Sequence, residues 1–312
     1  MNTPELLVSP TSIELIKSLK AADAFLVGEK GFSLRMPFYV SRDEIKEIIT
    51  HCNQSNQKIY IALNAIFHEP DLDPVRDYLL FLKDHHIDGI VFGDLAVYSL
   101  AKEIGITNKL IYDPEKYITN YKTAQFFKDQ GIKRVFISKE ITLENINLIA
   151  KETDIETEIL VHGSYNMFHS KRKLVETYFK YIENEALYEA HKDSPMYLIE
   201  EIRDELYPIV QDDQGTHVYT AKDMCGIEHL DTLTQNGIRS LKIDGIFKTD
   251  EQLATITAIY RKALDDLVAD KKQYEDHKSW YLKQLNQIEG IRNFDSGFFF
   301  KKTIYKNKGE RS

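Results

Sequence analysis

The sequence predicts an α/β protein with a (β/α)8 TIM-barrel-like core and an inserted helical and hairpin segment between strands 7 and 8. Three observations lead there. Eight short β-rich runs alternate with amphipathic helical stretches, the order expected of βα units and a parallel sheet. Several runs are continuously apolar, such as Ile-Val-Phe at 90–92 and Val-Phe-Ile at 135–137, as strands covered on both faces require. A chain of 312 residues, 43% hydrophobic, suffices for one barrel, which commonly takes about 250 residues, with an insertion and a tail besides.

Taken in order, the strands are expected at 5–10, 24–28, 59–64, 89–94, 110–114, 134–138, 158–163 and 238–245. Between them, 41–52 reads as a helix with Ser41 as N-cap before Arg-Asp-Glu. The same pattern fits 74–84, 117–130 and 143–152. After Gly163 about 75 residues pass before the eighth strand, roughly twice what one βα unit needs. This insertion, about 164–220, starts as helix at 173–189 and goes on to a hairpin at 207–220, turned at Asp212-Asp213-Gln214-Gly215. Cys225 is expected in a helix. A long helix follows from 250 to about 273. The barrel core thus spans 1–272, and 273–312 forms a tail packing on or near it.

Composition excludes several classes. Only Cys52 and Cys225 are present, too few for a disulfide framework or a four-cysteine zinc or iron–sulfur site. The N-terminus has no basic stretch leading into an apolar core, and no apolar run approaches about 18 residues, which favours a cytoplasmic protein with no membrane association. A net charge of -9 gives the molecule no general attraction for nucleic acid, so any RNA contact must be local or come from a partner. His68-Glu69 is followed by Pro70 with no second histidine four residues on, and neither a Gly-x-Ser-x-Gly elbow nor a phosphate-binding Gly-x-x-x-x-Gly-Lys loop occurs.

Residues at the C-terminal ends of barrel strands are the first candidates for chemistry. Here they are Glu29 and Arg35, Asn64 and His68, Asp94, Asp113, Lys139 and Glu140, His162, and Lys242 with Asp244. Five are expected to line one pocket for a small anion: Arg35, Asn64, His162, Lys242 and Asp244. The planar guanidinium of Arg35 suits a carboxylate or phosphate, and His162 can donate, accept or exchange a proton near neutrality. Lys242 and Asp244 flank Ile243, so both point to one face of their strand. The bland alternatives are a surface pair for Arg35, a structural histidine, an ion pair inside the barrel, and helix or turn caps for Asn64 and Asp94. Asp94 and Asp113, ending neighbouring strands, are weighed as a carboxylate dyad. No metal site is expected, and the catalytic residues are unknown.

Several phrases in this order resemble the U32 family, historically collagenase-like peptidases. They are Pro4-Glu5-Leu6-Leu7 with Ser9-Pro10, Ala21-Ala22-Asp23-Ala24, Gly31-Phe32-Ser33-Leu34-Arg35, Val161-His162-Gly163-Ser164, Lys222-Asp223-Met224-Cys225 with Ile227-Glu228-His229, Lys242-Ile243-Asp244-Gly245, and Arg292-Asn293-Phe294 with Gly297-Phe298-Phe299-Phe300. Together they cover nearly the whole chain. The resemblance implies a barrel-like core in a bacterial cytoplasmic protein. It offers two kinds of function: an older peptidase label, and hydroxylation of RNA or metabolites by members whose four cysteines hold a four-iron four-sulfur cluster.

The sequence departs from the family where that cluster chemistry resides. Two of the family's cysteine positions are Asn166 and Lys173 here, Lys171 stands where the signature has glycine, and 189–205 contains no cysteine. Amide and ammonium groups do not replace thiolates on iron, so no cofactor is expected. The length resembles the short member of a family pair whose longer member carries the cysteines. The resemblance therefore implies a cluster-less partner in prephenate-requiring 5-hydroxylation of the tRNA wobble uridine, U34. Its expected partners are the longer U32 paralogue, a small carboxylate and possibly tRNA. The alternatives are a U32 peptidase and a non-catalytic metabolite-binding barrel. The segment 183–205, with eight acidic and two basic residues, is expected to face solvent or a protein, not RNA.

Overall fold

The structure, a computed structural model, describes residues 3–200 and 205–301. Eight parallel strands close into a barrel: β1 (Glu5–Ser9), β2 (Ala24–Gly28), β3 (Lys58–Leu63), β4 (Gly89–Phe92), β5 (Leu110–Tyr112), β6 (Arg134–Phe136), β7 (Glu156–Gly163) and, after the insertion, the strand Ser240–Asp244. That last strand pairs with both β1 and β7, which completes the ring.

The helices coating it are α1 (Ile13–Ser18), α2 (Arg42–Ser55), α3 (Leu72–Lys83), α4 (Leu95–Ile104), α5 (Tyr121–Asp129) and α6 (Leu143–Glu152). Their starts follow local chemistry. Ser41 and Glu44 form a reciprocal capping box at α2, and Asn120 caps α5 four residues later than the sequence suggests. In α2, Ile45, Ile48, Ile49 and Cys52 make one buried stripe against the barrel.

The insertion holds β8 (Asn166–Ser170), α7 (Leu174–Tyr181), α8 (Glu185–His191), β9 (Met196–Glu200), β10 (Glu205–Asp212) and β11 (Gly215–Tyr219). The expected hairpin is β10 and β11, but it is half of a four-stranded antiparallel sheet ordered β8-β11-β10-β9. Cys225 lies in strand β12 (Asp223–Cys225), antiparallel to the upper end of β7, not in a helix. It takes the place beside β7 that β6 leaves free, since β6 pairs only as far as Phe136↔Glu158 while β12 pairs at His162 and Gly163. After α9 (Leu230–Gln235) comes that closing strand, β13 (Ser240–Asp244). The long helix is two: α10 (Asp250–Ala269) and α11 (Lys271–Asn286), broken where the Asp270 side chain accepts from Lys272 N. β14 (Phe294–Asp295) pairs with β12. Tyr274 of α11 donates to the Ile227 carbonyl (2.7 Å) and accepts from Leu230 N (3.0 Å), tying the helix to the barrel. Residues 302–312 of the expected tail lie outside the described residues. No described helix is long and apolar enough to cross a membrane.

Two cores result. The larger lies between barrel and helices; the smaller fills the barrel interior with Leu7, Ala24, Leu26, Tyr60, Ala62, Val91 and Ile111. Below that plug, at the N-terminal ends of the strands, Arg134 bonds Glu5 (2.8 Å) and Glu158 (3.1 Å), all three buried. Above it the barrel opens into the mouth.

Candidate functional site

The mouth is a narrow cavity floored by Leu26, Val91, Phe136 and Leu160. Alternation along β13 brings Lys242 and Asp244 to this interior, while Ile243 is buried in the outer wall. Asn64 follows β3, Asp113 and Glu115 follow β5, and Lys139 follows β6. Arg35 comes from the loop after β2, and Asn166 and Tyr219 lean in from the inserted sheet as a roof.

Arg35 and Glu115 form an ion pair, and both take left-handed backbone conformations, φ 55° and 62°. Such conformations persist in non-glycine residues only when surrounding contacts over-determine them. Asn64 supplies one: its Oδ1 accepts from Leu34 N at 2.9 Å. Nη1 of Arg35 is buried with no hydrogen-bond partner among the described residues. Lys242 Nζ lies 5.8 Å from the Phe136 ring centre and Lys139 Nζ 5.6 Å from that of Tyr165. Among the described residues neither lysine forms an ion pair. Asp244 accepts from Ile246 N (2.9 Å) and Asp113 from Glu115 N (3.0 Å).

Burial sets the protonation pattern. It pushes Asp113 above the ordinary carboxylate range despite Lys242 nearby. It acts on Glu115 in the same sense, but Arg35, Lys139 and Lys242 outweigh it and hold that carboxyl low. Burial also lowers Lys139, against the pull of Glu115 and Asp113. The ionised Glu115 occupies one side of Arg35, leaving a free guanidinium nitrogen and two unpaired ammonium groups around one small cavity. That donor set accepts an anion with carboxylate-like geometry.

Four of the five expected site residues therefore meet: Arg35, Asn64, Lys242 and Asp244. His162 does not join them. A bulge shifts the β7–β13 register so that Lys242 opposes Leu160 but Ile243 opposes His162, and the extra residue turns His162 to the outward face. There its imidazole lies between the rings of Tyr260 (5.6 Å) and Phe294 (5.9 Å), fully buried. Gly163, at φ 130°, permits the close approach that follows: a Cβ there would meet the Asp244 Cβ at 2.8 Å. Asp94 caps α4 by accepting from Ala96 N (2.9 Å) and also accepts from Phe67 N (3.0 Å), so it forms no dyad with Asp113 in the mouth. Lys139 and Asp113 end strands and were visible by position; only side-chain parity singles them out. Glu115 and Tyr219 carry no sequence signal.

The residues at the two family cysteine positions do not fit a thiolate-held cluster. The Asn166 amide donates to the carbonyls of Phe168 (3.0 Å) and Val218 (3.4 Å). Lys173 precedes α7 on the exposed surface. The two cysteines sit apart, Cys52 in α2 and Cys225 in β12.

Comparison with known proteins places this architecture. Over 309 residues the chain is 38% identical to tRNA hydroxylation protein P2 of Bacillus subtilis (strain 168), covering 98% of this chain and all of that protein. It is 25% identical to tRNA hydroxylation protein P1 of the same organism, over 95% of this chain and 70% of that one. It is 26% identical to tRNA hydroxylation protein P of Escherichia coli (strain K12), over 97% and 76%. The sequence profile of peptidase family U32 matches residues 15–308, and the chain belongs to that family.

Proposed function

We propose that this chain is the cluster-less component of a two-protein system for 5-hydroxylation of the tRNA wobble uridine, U34, acting in the cytoplasm. The observation that carries the reading is the match to tRNA hydroxylation protein P2, which spans 98% of this chain and all of that protein. Its partner is a longer, cysteine-bearing U32 paralogue, which supplies the cluster that this chain has no thiolates to hold. The barrel mouth binds a small carboxylate such as prephenate, with Arg35, Lys139 and Lys242 as its cationic contacts and Asn64 holding the Arg35 loop in place. Asp113, kept toward its neutral form by burial, adds a hydrogen-bond donor that an ionised carboxylate would not provide.

A peptidase reading has less to work with. Hydrolysis needs a nucleophile with a base, a polarised water or a carboxylate pair sharing a proton. Asp94 is spent on a helix cap, and Cys225 is pushed up to about 11 by burial, away from the reactive thiolate.

The test deletes this gene and that of the longer paralogue separately and measures wobble-uridine modification by mass spectrometry of tRNA. Loss of 5-hydroxyuridine derivatives in both strains is the expected result. Unchanged modification in the strain lacking this chain would overturn the proposal.

A further inference from the structure

The inserted segment, helices and sheet together, exposes far more apolar surface than its length warrants. Of 21 large hydrophobic side chains exposed among the described residues, eleven lie within residues 166–219. Contiguous exposed apolar patches on soluble proteins mark interaction sites more often than chance placement would. Three features give this patch a shape.

First, β9 is an edge strand. Among the described residues it pairs with β10 on one side only, through Ile209↔Met196 to Glu205↔Glu200, so alternate backbone N–H and C=O groups on its other side face outward. Its sequence, Met-Tyr-Leu-Ile-Glu, lacks the lysine, proline or bulge by which edge strands usually block pairing. Second, directly opposed residues share a face, so Tyr197, Ile199, Leu206 and Val210 stand together on one side. They are 49%, 65%, 49% and 37% exposed. On the opposite side, Met196, Leu198 and Ile209 border an apolar groove against α7. Both faces and the edge are thus open at the same end of the sheet.

Third, the border is acidic. In the described chain leading into β9, Glu183, Glu185, Glu189 and Asp193 are exposed, against Lys192 as the basic residue among them. That charge repels RNA phosphates, and it sets like against like if two copies pair edge to edge. The complementary occupant is an extended apolar segment flanked by lysine or arginine.

We infer that β9 and the apolar faces beside it form a docking edge that receives a strand from the longer family partner, the docked segment being apolar with a basic border. The inference rests on the partner assignment made above and adds where contact is made. Strand addition at such an edge draws affinity from main-chain hydrogen bonds and specificity from alternate side chains, and the charged border speeds encounter and lowers affinity as salt rises.

The test titrates the purified full-length chain with the purified longer paralogue, by light scattering for stoichiometry and fluorescence anisotropy for affinity. Wild type is compared with Ile199→Lys on the sheet face and with Glu185→Lys, Glu189→Lys on the border. Circular dichroism melting of each variant shows that it is folded. Binding by wild type, weakened tenfold or more by Ile199→Lys and severalfold by the border variant at low salt, is the expected result. Equal binding by all three overturns the docking edge and leaves the partner assignment standing. No binding by wild type overturns both. A homodimer abolished by Ile199→Lys, or crosslinking of β9 to tRNA, would replace the partner with a second copy or with RNA and overturn the inference.

Discussion

His162 stands one residue before the end of β7 with its imidazole between Tyr260 and Phe294, its Nδ1 3.4 Å from the Tyr260 hydroxyl and its Nε2 without a partner among the described residues. Burial, with Lys248 nearby, holds its proton affinity well below the ordinary histidine value of 6.5. The fold therefore keeps this ring neutral at pH values where the unfolded chain protonates it. Above about pH 6.5 both states are neutral and the full stability is present. As pH falls below that, only the unfolded chain takes up the proton, and stability drops by about 1.4 kcal/mol per pH unit until the folded ring titrates too. Denaturant unfolding of wild type and His162→Phe at pH 7 and 5.5 checks this: the wild type should lose more stability between the two. Parallel losses would mean that other groups carry the acid sensitivity. At the same scale, one residue of bulge separates His162 from the mouth. The alternation that correctly aims Lys242 and Asp244 inward mis-aims His162, because a bulge leaves no mark in the sequence.

The loop from β2 to α2 shows how an element delivers a side chain. Ser33 N and Oγ both donate to the Glu29 carbonyl (3.1 and 2.7 Å), Leu34 N donates to Asn64 (2.9 Å), and Val40 N donates to the Gly28 carbonyl (3.0 Å). These bonds hold Arg35 at φ 55° over the mouth. Asn64 is thus both the cap-like residue that its type suggests and a residue of the site, acting through the loop. Two substitutions separate those roles. Arg35→Lys removes the planar fork and should weaken prephenate binding tenfold to a hundredfold, about 1.5–3 kcal/mol for a charge-assisted bond. Asn64→Ala keeps every charge and should weaken it roughly fivefold, about 1 kcal/mol, by loosening the loop. Calorimetric titration with prephenate reads both, and wild-type affinity in Arg35→Lys would remove Arg35 from the site. Legibility in the sequence varies by element. The barrel strands were plain because buried parallel strands are continuously apolar. In the inserted sheet only the Asp-Asp-Gln-Gly turn carried a signal, so β8 and β9 were missed; β8 mixes polar and apolar residues, and β9, Met-Tyr-Leu-Ile-Glu, lacks the polar–apolar alternation that marks a half-exposed strand.

At the scale of the whole molecule, the barrel divides into a charged base, an apolar plug and a polar mouth. In the base, Glu5 accepts from Arg134 (2.8 Å), Lys58 (2.7 Å), the Tyr60 hydroxyl (2.9 Å) and the Ser240 hydroxyl (3.2 Å), stitching β1 to β3, β6 and β13. Glu158 shares the same guanidinium (3.1 Å). Removing one member of a buried charge cluster costs more than the cluster contributes, because the others remain desolvated. Arg134→Met should accordingly lower unfolding free energy by about 3–5 kcal/mol, measured by urea denaturation. A loss under about 1 kcal/mol would mean that water already reaches the two glutamates.

Sequence by itself determined the order and type of the barrel elements, the place of the insertion between the seventh and eighth barrel strands, and the resemblance to the U32 family. These depend on hydrophobic period, caps and residue order, all of which are local along the chain. Tertiary structure alone decided which strand-end residues share the mouth, because that depends on side-chain parity in a closed barrel and on a single bulge in β7. It also decided that Glu115 and Arg35, 80 positions apart, form a pair, and that β9 is an edge. Pairing across a sheet brings together residues whose separation along the chain carries no information about their contact.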